Sequence, residues 1–373
     1  MGIETIIDIS HKYGSSAEFV LAGGGNTSYK TKDYLYIKGS GTSLSTIVEN
    51  GFVKMSRKKL DEIWKKVYPK DKDEREKEVL SDMMASRCEG EENKRPSVET
   101  LLHNLFSETY VLHVHPTKVN GITCSIDGEK IVGNLFPDAI WVEETEPGYV
   151  LAKKCRKMIN DYEEKTGKTA YLLFLQNHGI FFAGNTKEEI DSLVKDVMDK
   201  ISSLCVIKPS LDEIEYDQKK IDELKKRIKK AYPEKDIIVS FTLNKEVENR
   251  CESIDNFAPL YHALTPDHIV YCKALPLFID SEKVLDLLPK ILKDFKKNNG
   301  FLPKIIFVKN VGMFALGKSE KDANITSLVW LDALKIHRYT ENFGGLRPMA
   351  PSMVDFIVNW EVESYRSKVS QNN

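Results

Sequence analysis

The stretch Tyr110-Val111-Leu112-His113-Val114-His115-Pro116 decides how the rest of the chain can be interpreted. Its β-branched and aromatic residues, followed by a proline, predict a short strand. Side chains alternate between the two faces of a strand, so His113 and His115 point the same way, about 6.6 Å apart along the chain. Two imidazoles at that spacing can bind one metal ion at about 2.0–2.1 Å each. Further ligands must come from other parts of the chain.

The composition sets broad limits on the function. The 373 residues predict two or three domains, and 41% hydrophobic with 29% charged residues is typical of a soluble globular protein. A formal net charge of −2 gives no basis for a nucleic-acid surface. There is no apolar run of about 18 residues and no signal-peptide pattern, so neither a membrane span nor export is predicted. Six cysteines without C-x-x-C spacing predict reduced thiols and a cytoplasmic location.

Two glycine-rich turns precede the histidine strand. The first, Leu21–Tyr29, contains Asn26 among small polar residues, a composition typical of an anion-binding nest or of a plain hairpin turn. The strand Tyr34–Lys38 leads into the second turn, Gly39–Ser43. Two such turns at the ends of adjacent strands predict two sides of a phosphate cradle, in which Lys38 supplies a point charge.

A helix that opens at Pro96-Ser97 carries a second set of candidate residues. Glu99 falls in its first turn and His103 lies one turn later on the same side. Glu99 either stabilises the helix through the dipole, with His103 packed in the core, or faces the histidines that follow. A third histidine, His178, comes where a strongly apolar strand breaks, and the glycine after it allows a close approach. His178 is therefore a natural third metal ligand.

The remaining pattern predicts elements that connect these motifs. Residues 56–90 are predicted as a charged helix, and Ile126-Asp127-Gly128 as a hairpin turn. A helix over 148–165 should stop at Gly167, and Thr186 should cap the next helix. Residues 209–236 are predicted as a charged helical connector between two halves.

The second half of the chain repeats part of the first. Leu173–Phe181 aligns with Ile306–Phe314 at an offset of 133, and Pro137–Ile140 with Pro266–Ile269 at an offset of 129. Val311 stands where the first copy has His178. This pattern predicts three segments: a metal-binding domain over 1–208, the connector over 209–236, and a degenerate, metal-free copy with a C-terminal extension over 237–373.

The order of these motifs resembles the class II aldolase/adducin family over roughly residues 15–205. The motifs that carry the resemblance are Gly25-Asn26-Thr27-Ser28, Lys38-Gly39-Ser40-Gly41, Ser97-x-Glu99-x-x-x-His103, His113-x-His115 and Asn177-His178-Gly179. Within that family, the stretch Arg95–His103 is most similar to the aldolase half of the long, bifunctional rhamnulose-1-phosphate aldolases.

The resemblance implies a fold, a metal and partners. The fold would be three-layer α/β/α around a mostly antiparallel sheet, assembled as a homo-oligomer, a dimer or tetramer. The metal would be zinc, or another divalent ion, and the partner a small-molecule sugar phosphate. In the implied site, the zinc ligands are His113, His115 and His178. Glu99 is the acid/base and also a fourth ligand. The phosphate-binding residues are Asn26, Ser40, Gly41 and Ser97, with Lys38 nearby. The tyrosine that donates a second proton in relatives is not placed.

The same resemblance implies an aldolase that reversibly cleaves a ketose 1-phosphate to dihydroxyacetone phosphate and a short aldehyde such as lactaldehyde. Two alternatives use the same zinc site, a sugar-phosphate 4-epimerase and a dehydratase. Relatives with epimerase activity carry Asp at the acid position, so Glu99 favours the aldolase. An adducin-like binding protein without catalysis is a further alternative, against which the three histidines argue.

Overall fold

The computed structural model describes residues 2–234 and 236–360. The chain forms two compact units, the first from residues up to 123 and 127–204, the second from residues 124–126 and from 205 onward. Lys235 of the predicted connector and residues 361–373 of the predicted second copy lie outside the described residues. In the part that is described, no helix is long and apolar enough to cross a membrane.

A seven-stranded sheet forms the centre of the first unit. Its strands are β1 (Asn26–Lys30), β2 (Tyr34–Lys38), β3 (Phe52–Ser56), β4 (Tyr110–Val114), β5 (Ile140–Val142), β6 (Leu172–Leu175) and β7 (Gly179–Gly184). The strand order is β3-β2-β1-β4-β7-β6-β5, and every neighbouring pair is antiparallel except β5 and β6. The predicted mostly antiparallel sheet is therefore confirmed, and β4 is the predicted histidine strand.

Helices cover both faces of this sheet. They are α1 (Gly2–Gly14), α2 (Arg57–Ile63), α3 (Lys72–Ala85), α4 (Thr100–Leu105), α5 (Thr117–Thr123), α6 (Gly128–Leu135), α7 (Tyr149–Thr166) and α8 (Lys187–Leu204). On one face Thr27 of β1 meets Ser10 of α1, and on the other Ser28 meets His103 of α4. Successive residues of a strand point to opposite faces, so α1 and α4 lie on different sides. The first unit has the predicted α/β architecture.

Local sequence signals explain where the helices start and stop. The predicted cap of α8 is present, since Thr186 Oγ1 accepts a hydrogen bond from the Glu189 amide at 3.1 Å, and the Glu189 carboxylate accepts one from the Asn185 amide at 2.6 Å. Helix α7 ends at Gly167, whose φ of 68° is in the left-handed region that favours glycine. Both predictions are confirmed.

The second unit has its own, smaller sheet. Its elements are α9 (Gln218–Ala231), β8 (Ile238–Thr242), α10 (Lys245–Cys251), α11 (Ile254–Phe257), α12 (Pro266–Cys272), β9 (Leu277–Ile279), α13 (Leu288–Asn299), β10 (Ile305–Val308), β11 (Gly312–Gly317), α14 (Glu320–Thr340) and α15 (Pro351–Asn359). The strand order is β8-β11-β10-β9, in which only β9 and β10 are parallel. Helix α9, within the predicted connector, packs Ile221, Leu224 and Ile228 into the core of this unit.

Three predicted elements are wrong. The hairpin at Ile126-Asp127-Gly128 is absent, and α6 begins at Gly128. A Cβ at that glycine would lie 2.2 Å from the Ile122 carbonyl oxygen, so the glycine serves close packing and not a turn. Residues 56–90 are not one helix, because β3 ends at Ser56 and α2 and α3 follow separately.

The third error concerns the match of Pro266–Ile269 to Pro137–Ile140. Pro266 occupies the first turn of helix α12, where proline is well tolerated. The strand that pairs in parallel with β10 is β9, which begins at Leu277. The match of Pro266–Ile269 to Pro137–Ile140 is therefore not reflected in the structure, whereas Leu173–Phe181 and Ile306–Phe314 both form strand–turn–strand segments.

Candidate active site

Three histidines reach one point from two neighbouring parts of the first sheet. His113 lies in β4, opposite Asn26 of β1 and Phe181 of β7. His115 follows the end of β4, where its amide donates to the Phe19 carbonyl at 3.0 Å. His178 lies in the turn between β6 and β7, so the hairpin brings it beside the histidine strand.

The turn that holds His178 depends on two special backbone positions. Asn177 has a φ of 55°, in the left-handed region that asparagine tolerates better than most residues. A Cβ at Gly179 would lie 2.6 Å from both the Val114 carbonyl oxygen and His115 Cδ2. The glycine after His178 therefore allows the close approach that the sequence predicted.

The donor atoms of the three histidines lie within 4.8 Å of one another. His113 Nε2 is 2.9 Å from His115 Nε2. Glu99 Oε1 is 3.3 Å from His113 Nε2 and 3.6 Å from His178 Nε2. Among the residues that the structure describes, this is the one group of three or more His, Cys, Asp or Glu side chains whose donor atoms converge in this way.

The ring of His113 is fixed in a metal-binding tautomer. Its Nδ1 faces the Ile180 carbonyl at 2.9 Å, and a carbonyl can only accept, so Nδ1 carries the proton. The lone pair of Nε2 then points toward His115 and Glu99. Phe181 stacks on the ring with centroids 4.0 Å apart and 14° between the planes, which holds its orientation.

These donors fit a divalent cation of the zinc type. Ligands about 2.0–2.1 Å from a tetrahedral ion lie about 3.3 Å from each other, close to the three separations given above. Glu99 Oε1 is buried and has no hydrogen-bond partner among the described residues, although a buried carboxylate oxygen normally has one. A cation between Glu99 and the three imidazoles would satisfy this oxygen.

A buried chain of hydrogen bonds supports Glu99 from behind. Its Oε2 accepts a hydrogen bond from Asn26 Nδ2 at 2.5 Å. Asn26 Oδ1 accepts from His103 Nε2, and His103 Nδ1 then accepts from Ser28 Oγ at 2.8 Å. Burial, followed by the charges of His113 and Lys30, holds the pKa of His103 well below its usual range. A neutral His103 with its proton on Nε2 links Ser28 to Glu99 through Asn26.

Lys30 completes the polar face of β1. Its Nζ donates to the His103 carbonyl oxygen at 3.1 Å. Burial, with a further contribution from the charge of Arg57, lowers the pKa of Lys30 to about 7.

The predicted phosphate residues lie on two adjacent pieces of backbone. Ser40 N donates to the Arg95 carbonyl at 2.7 Å, and Ser97 N donates to the Lys38 carbonyl at 3.1 Å. Gly41 has a φ of 88°, and Lys38 is buried at the end of β2. The Ser97 hydroxyl accepts a hydrogen bond from the Glu99 amide at 3.2 Å, which ties this segment to the carboxylate.

Asn26 is placed differently from the other predicted phosphate residues. Its amide bridges Glu99 and His103, and it lies in a strand, not in the predicted loop. A phosphate role for Asn26 stays a prediction.

Three residues beside the site were not predicted in the roles that the structure gives them: Ser28, which was named only within the Gly25–Ser28 motif, Lys30 and Phe181. A signal for the first two was present, because polar residues at positions 26, 28 and 30 alternate with period two and so share one face of β1. Thr27, on the opposite face, contacts Ser10 at 2.7 Å. The stacking role of Phe181 had no such signal, since a phenylalanine in an apolar strand is an ordinary core residue.

The chain is similar to known proteins in sequence and to solved structures. A relative from Bacillus subtilis (strain 168), called uncharacterized oxidoreductase YuxG, is 24% identical over 412 residues. The alignment covers 98% of this chain and 58% of that protein, so the chain spans little more than half of its relative's length. A solved N-terminal class II aldolase domain of a conserved protein from Thermoplasma acidophilum is 25% identical, with 54% of this chain and 92% of that chain covered and a TM-score of 0.45.

A second solved structure, L-fuculose-1-phosphate aldolase from Thermus thermophilus, is 13% identical, with 54% of this chain and 89% of that chain covered and a TM-score of 0.34. The family model described as Class II Aldolase and Adducin N-terminal domain matches residues 4–194, which is more than half of the chain. The chain therefore belongs to the class II aldolase and adducin family.

Proposed function

We propose that this protein is a zinc-dependent aldolase that reversibly cleaves a ketose 1-phosphate into dihydroxyacetone phosphate and a short aldehyde such as lactaldehyde. The family and the histidine cluster support a metal-dependent enzyme. The choice of aldolase rests on Glu99, and the choice of substrate rests on the similarity of Arg95–His103 to the rhamnulose-1-phosphate aldolases.

One observation carries the proposal: the two oxygens of the Glu99 carboxylate have different surroundings. Asn26 anchors Oε2, while Oε1 is buried beside the Nε2 atoms of His113 and His178 without a hydrogen-bond partner among the described residues. A carboxylate held in this way has one oxygen ready to bind a cation or to take up and release a proton.

Each residue of the site then has a task. Glu99 returns a proton to C3 of the triose phosphate in cleavage and removes it in synthesis. A divalent metal, when bound by His113, His115 and His178, stabilises as a Lewis acid the negative charge that develops during cleavage. Asn26, supported by His103, keeps the Glu99 carboxylate in one orientation.

The two backbone segments beside Glu99 suit the phosphate of the substrate. Ser40 and Ser97 carry hydroxyl groups, Gly41 leaves its backbone accessible, and Lys38 supplies a positive charge. Binding energy at the phosphate would position the reacting carbons near Glu99, because Ser97 is already tied to the Glu99 amide.

We infer in addition that the second unit is a degenerate, metal-free copy of part of the first. Strands β6 and β7 and helix α8 each have a counterpart that begins 133 residues later, namely β10, β11 and α14. The first residues of these pairs are 172 and 305, 179 and 312, and 187 and 320. The strand directions of β4-β7-β6-β5 are also those of β8-β11-β10-β9.

Homo-oligomer formation remains a prediction from the family. Light scattering of the purified protein would measure it, and a stable, fully active monomer would contradict it.

The test of the function is an incubation of the zinc-loaded protein with a panel of ketose 1-phosphates and pentulose phosphates. We expect triose phosphate to appear from a ketose 1-phosphate and to stop appearing after chelation. Recovery on adding zinc controls for damage by the chelator. Epimerisation or loss of water from a pentulose phosphate, without triose phosphate, would replace the aldolase by one of the two alternative reactions.

A second measurement tests Glu99 itself. In deuterated water, the zinc protein should exchange a C3 proton of dihydroxyacetone phosphate, and Glu99→Gln should abolish this exchange while the protein stays folded. Exchange that survives in Glu99→Gln would assign the proton transfer to another residue.

A further inference from the structure

A cleft of about 710 Å³ lies within the second unit. This volume is within the range of small-molecule sites. Its walls come from the segment between α9 and β8, the end of α12, the loop before β10 and the start of α14. Neither the proposed aldol reaction nor the proposed origin of this unit gives the cleft a role.

One part of the wall is apolar. Ile237, Ile269, Leu302, Leu316 and Ile357 contribute to it. Such a surface suits the organic portion of a ligand, because it gains free energy when the ligand removes it from water.

Another part of the wall is cationic. Lys273, Lys304 and Lys318 line the cleft around one carboxylate, Asp322. Lys304 Nζ lies 3.0 Å from Asp322 Oδ1, and the other oxygen of Asp322 accepts the Lys318 amide at 2.9 Å. Within the described part of the chain, the ammonium groups of Lys273 and Lys318 have no hydrogen-bond or ion-pair partner. All three lysines belong to the wall of this one cleft.

Lys273 is held in a strained backbone conformation at this wall. It ends helix α12 with a φ of 69° and a ψ of 163°, a region that residues with a side chain rarely adopt. Strain of this kind is found most often at binding and active sites. The surrounding atoms, and then the charges of Lys304 and Lys318, lower the pKa of Lys273, which makes its amine more reactive than that of an ordinary surface lysine.

From these observations we infer that the cleft binds a phosphorylated small molecule, whose phosphate is held by Lys273, Lys304 and Lys318 and whose organic portion lies on the apolar wall. The cleft is lined by four lysines, Lys296 included, against three carboxylates, so its formal charge is +1, and a phosphate monoester, which carries about −1.5 to −2 near neutral pH, has the complementary sign. Glu234 and Asp236 also line the cleft and can accept hydrogen bonds from hydroxyl groups of the ligand.

Pyridoxal 5′-phosphate is a direct probe of this inference, since it carries a phosphate and an aldehyde. A lysine amine attacks the aldehyde carbon, water leaves, and borohydride reduces the resulting imine to a stable secondary amine that peptide mass spectrometry locates. At limiting reagent we expect the label on Lys273 ahead of other lysines. Excess inorganic phosphate should slow the labelling, and Lys318→Gln or Lys304→Gln should slow it roughly tenfold.

Lys297→Gln is the matched control, because Lys297 lies on α13 and is exposed but does not line the cleft. Labelling in proportion to exposure, no protection by phosphate, or equal rates in Lys318→Gln and Lys297→Gln would overturn the inference. Protection by hexanoate as strong as that by phosphate would overturn the choice of phosphate. Thermal melting checks that each variant is folded. The metal content of each variant should equal that of the unchanged protein. A change in labelling would then concern the cleft and not the proposed aldolase site.

Discussion

The hairpin β6–β7 of the first unit and the hairpin β10–β11 of the second share a backbone and differ in chemistry. Asn177 and Asn310 occupy corresponding turn positions, and both have a φ of 55°. The next residue is His178 in the first turn and Val311 in the second. The same turn geometry forms with histidine or with valine after the asparagine, so nothing in the turn itself requires His178, and the role proposed for this histidine is chemical.

The strand beside each hairpin shows the same contrast. In the first unit His113 faces Phe181, and in the second Phe241 faces Phe314. The ring centroids of these pairs are 4.0 and 5.0 Å apart, so both positions hold packed rings. The first unit thus has an imidazole, and with it a candidate metal ligand, where the second unit has a phenylalanine ring.

The sheets differ in extent as well. The first sheet extends beyond β4 through β1, β2 and β3, whereas β8 is an edge strand of its four-stranded sheet. Strand β1 supplies Asn26, Ser28 and Lys30, which lie behind Glu99. The described part of the second unit therefore lacks counterparts of the three clustered histidines and of the strand that supports Glu99.

The largest effect is expected when the first turn receives the residue of the second, valine in place of His178. His178→Val should abolish zinc binding and lower activity by more than about 100-fold. Loss of a residue that only supports a metal ligand typically costs about 10–100-fold, and loss of the ligand itself should cost more. The fold should persist, because Val311 occupies the corresponding turn. Metal analysis and thermal melting of the metal-free proteins would measure both effects. Loss of the folded state in His178→Val would contradict the independence of scaffold and site.

The reverse substitution is the control for that experiment. Val311→His should not create a zinc site, because the residues that correspond to His113 and His115 are Phe241 and Leu243. Bound zinc in Val311→His, after His178→Val has been introduced, would show that the second unit retains ligands.

Glycine substitution in the two hairpins should separate site from scaffold. A Cβ at Gly179 would collide with the Val114 carbonyl and with His115, whereas a Cβ at Gly312 would meet Phe241. Each change to Ala should destabilise its own unit by about 1–3 kcal/mol. Only Gly179→Ala should also weaken zinc binding, by about 10–100-fold. Zinc titration of both variants measures this, and equal zinc affinities would mean that the approach of His115 is not critical.

Asn26→Ala tests the support that only the first unit has. Glu99 should lose its anchored orientation, so kcat should fall about 10-fold or more while zinc content changes little. The control is Thr27→Val on the opposite face of β1, where the hydroxyl contacts Ser10 and not the site. A higher KM with an unchanged kcat in Asn26→Ala would instead favour the phosphate role that the family implies.

The last prediction concerns Lys30 and the pH dependence of stability, with no change expected in the chemistry of the site. Its pKa is about 7 in the folded protein and about 10.4 in an unfolded chain, so between these values the unfolded chain binds more protons. The free energy of unfolding should therefore rise with pH in this range, by at most about 1.4 kcal/mol per pH unit from this residue. Lys30→Met should remove that rise. Urea titrations from pH 7 to 10 would show it, and parallel curves for the two proteins would contradict it.

The sequence predicted which side chains would come together, His113, His115, His178 and Glu99, better than it predicted the connecting elements. The order of the histidine strand, Glu99 and His178 was enough for a metal hypothesis, because a strand and a hairpin impose short, regular spacings on their side chains. The roles of Asn26 and Ser28 depended on which face of β1 meets α4, and this was hidden as long as the stretch was interpreted as a loop.

Two of the three errors involve residues that local propensity assigns to turns. Gly128 and Pro266 are residues that favour turns, but each begins or enters a helix, Gly128 because a neighbouring carbonyl leaves no space for a Cβ. Such packing is a tertiary effect, and local propensity cannot anticipate it. The cationic cleft had no signal in the sequence, because its lysines come from segments far apart along the chain.

The one-sided anchoring of Glu99 has a stereochemical consequence for the proposed reaction. Because Asn26 hydrogen-bonds to Oε2, Oε1 is the oxygen left to carry the proton in the proposed reaction, and the proton would reach the substrate from a single direction. The enzyme would then exchange only one of the two prochiral hydrogens at C3 of dihydroxyacetone phosphate. A triose phosphate recovered from deuterated water should carry one deuterium in one configuration, and the absolute configuration would report on which side of the carbon plane the carboxylate lies.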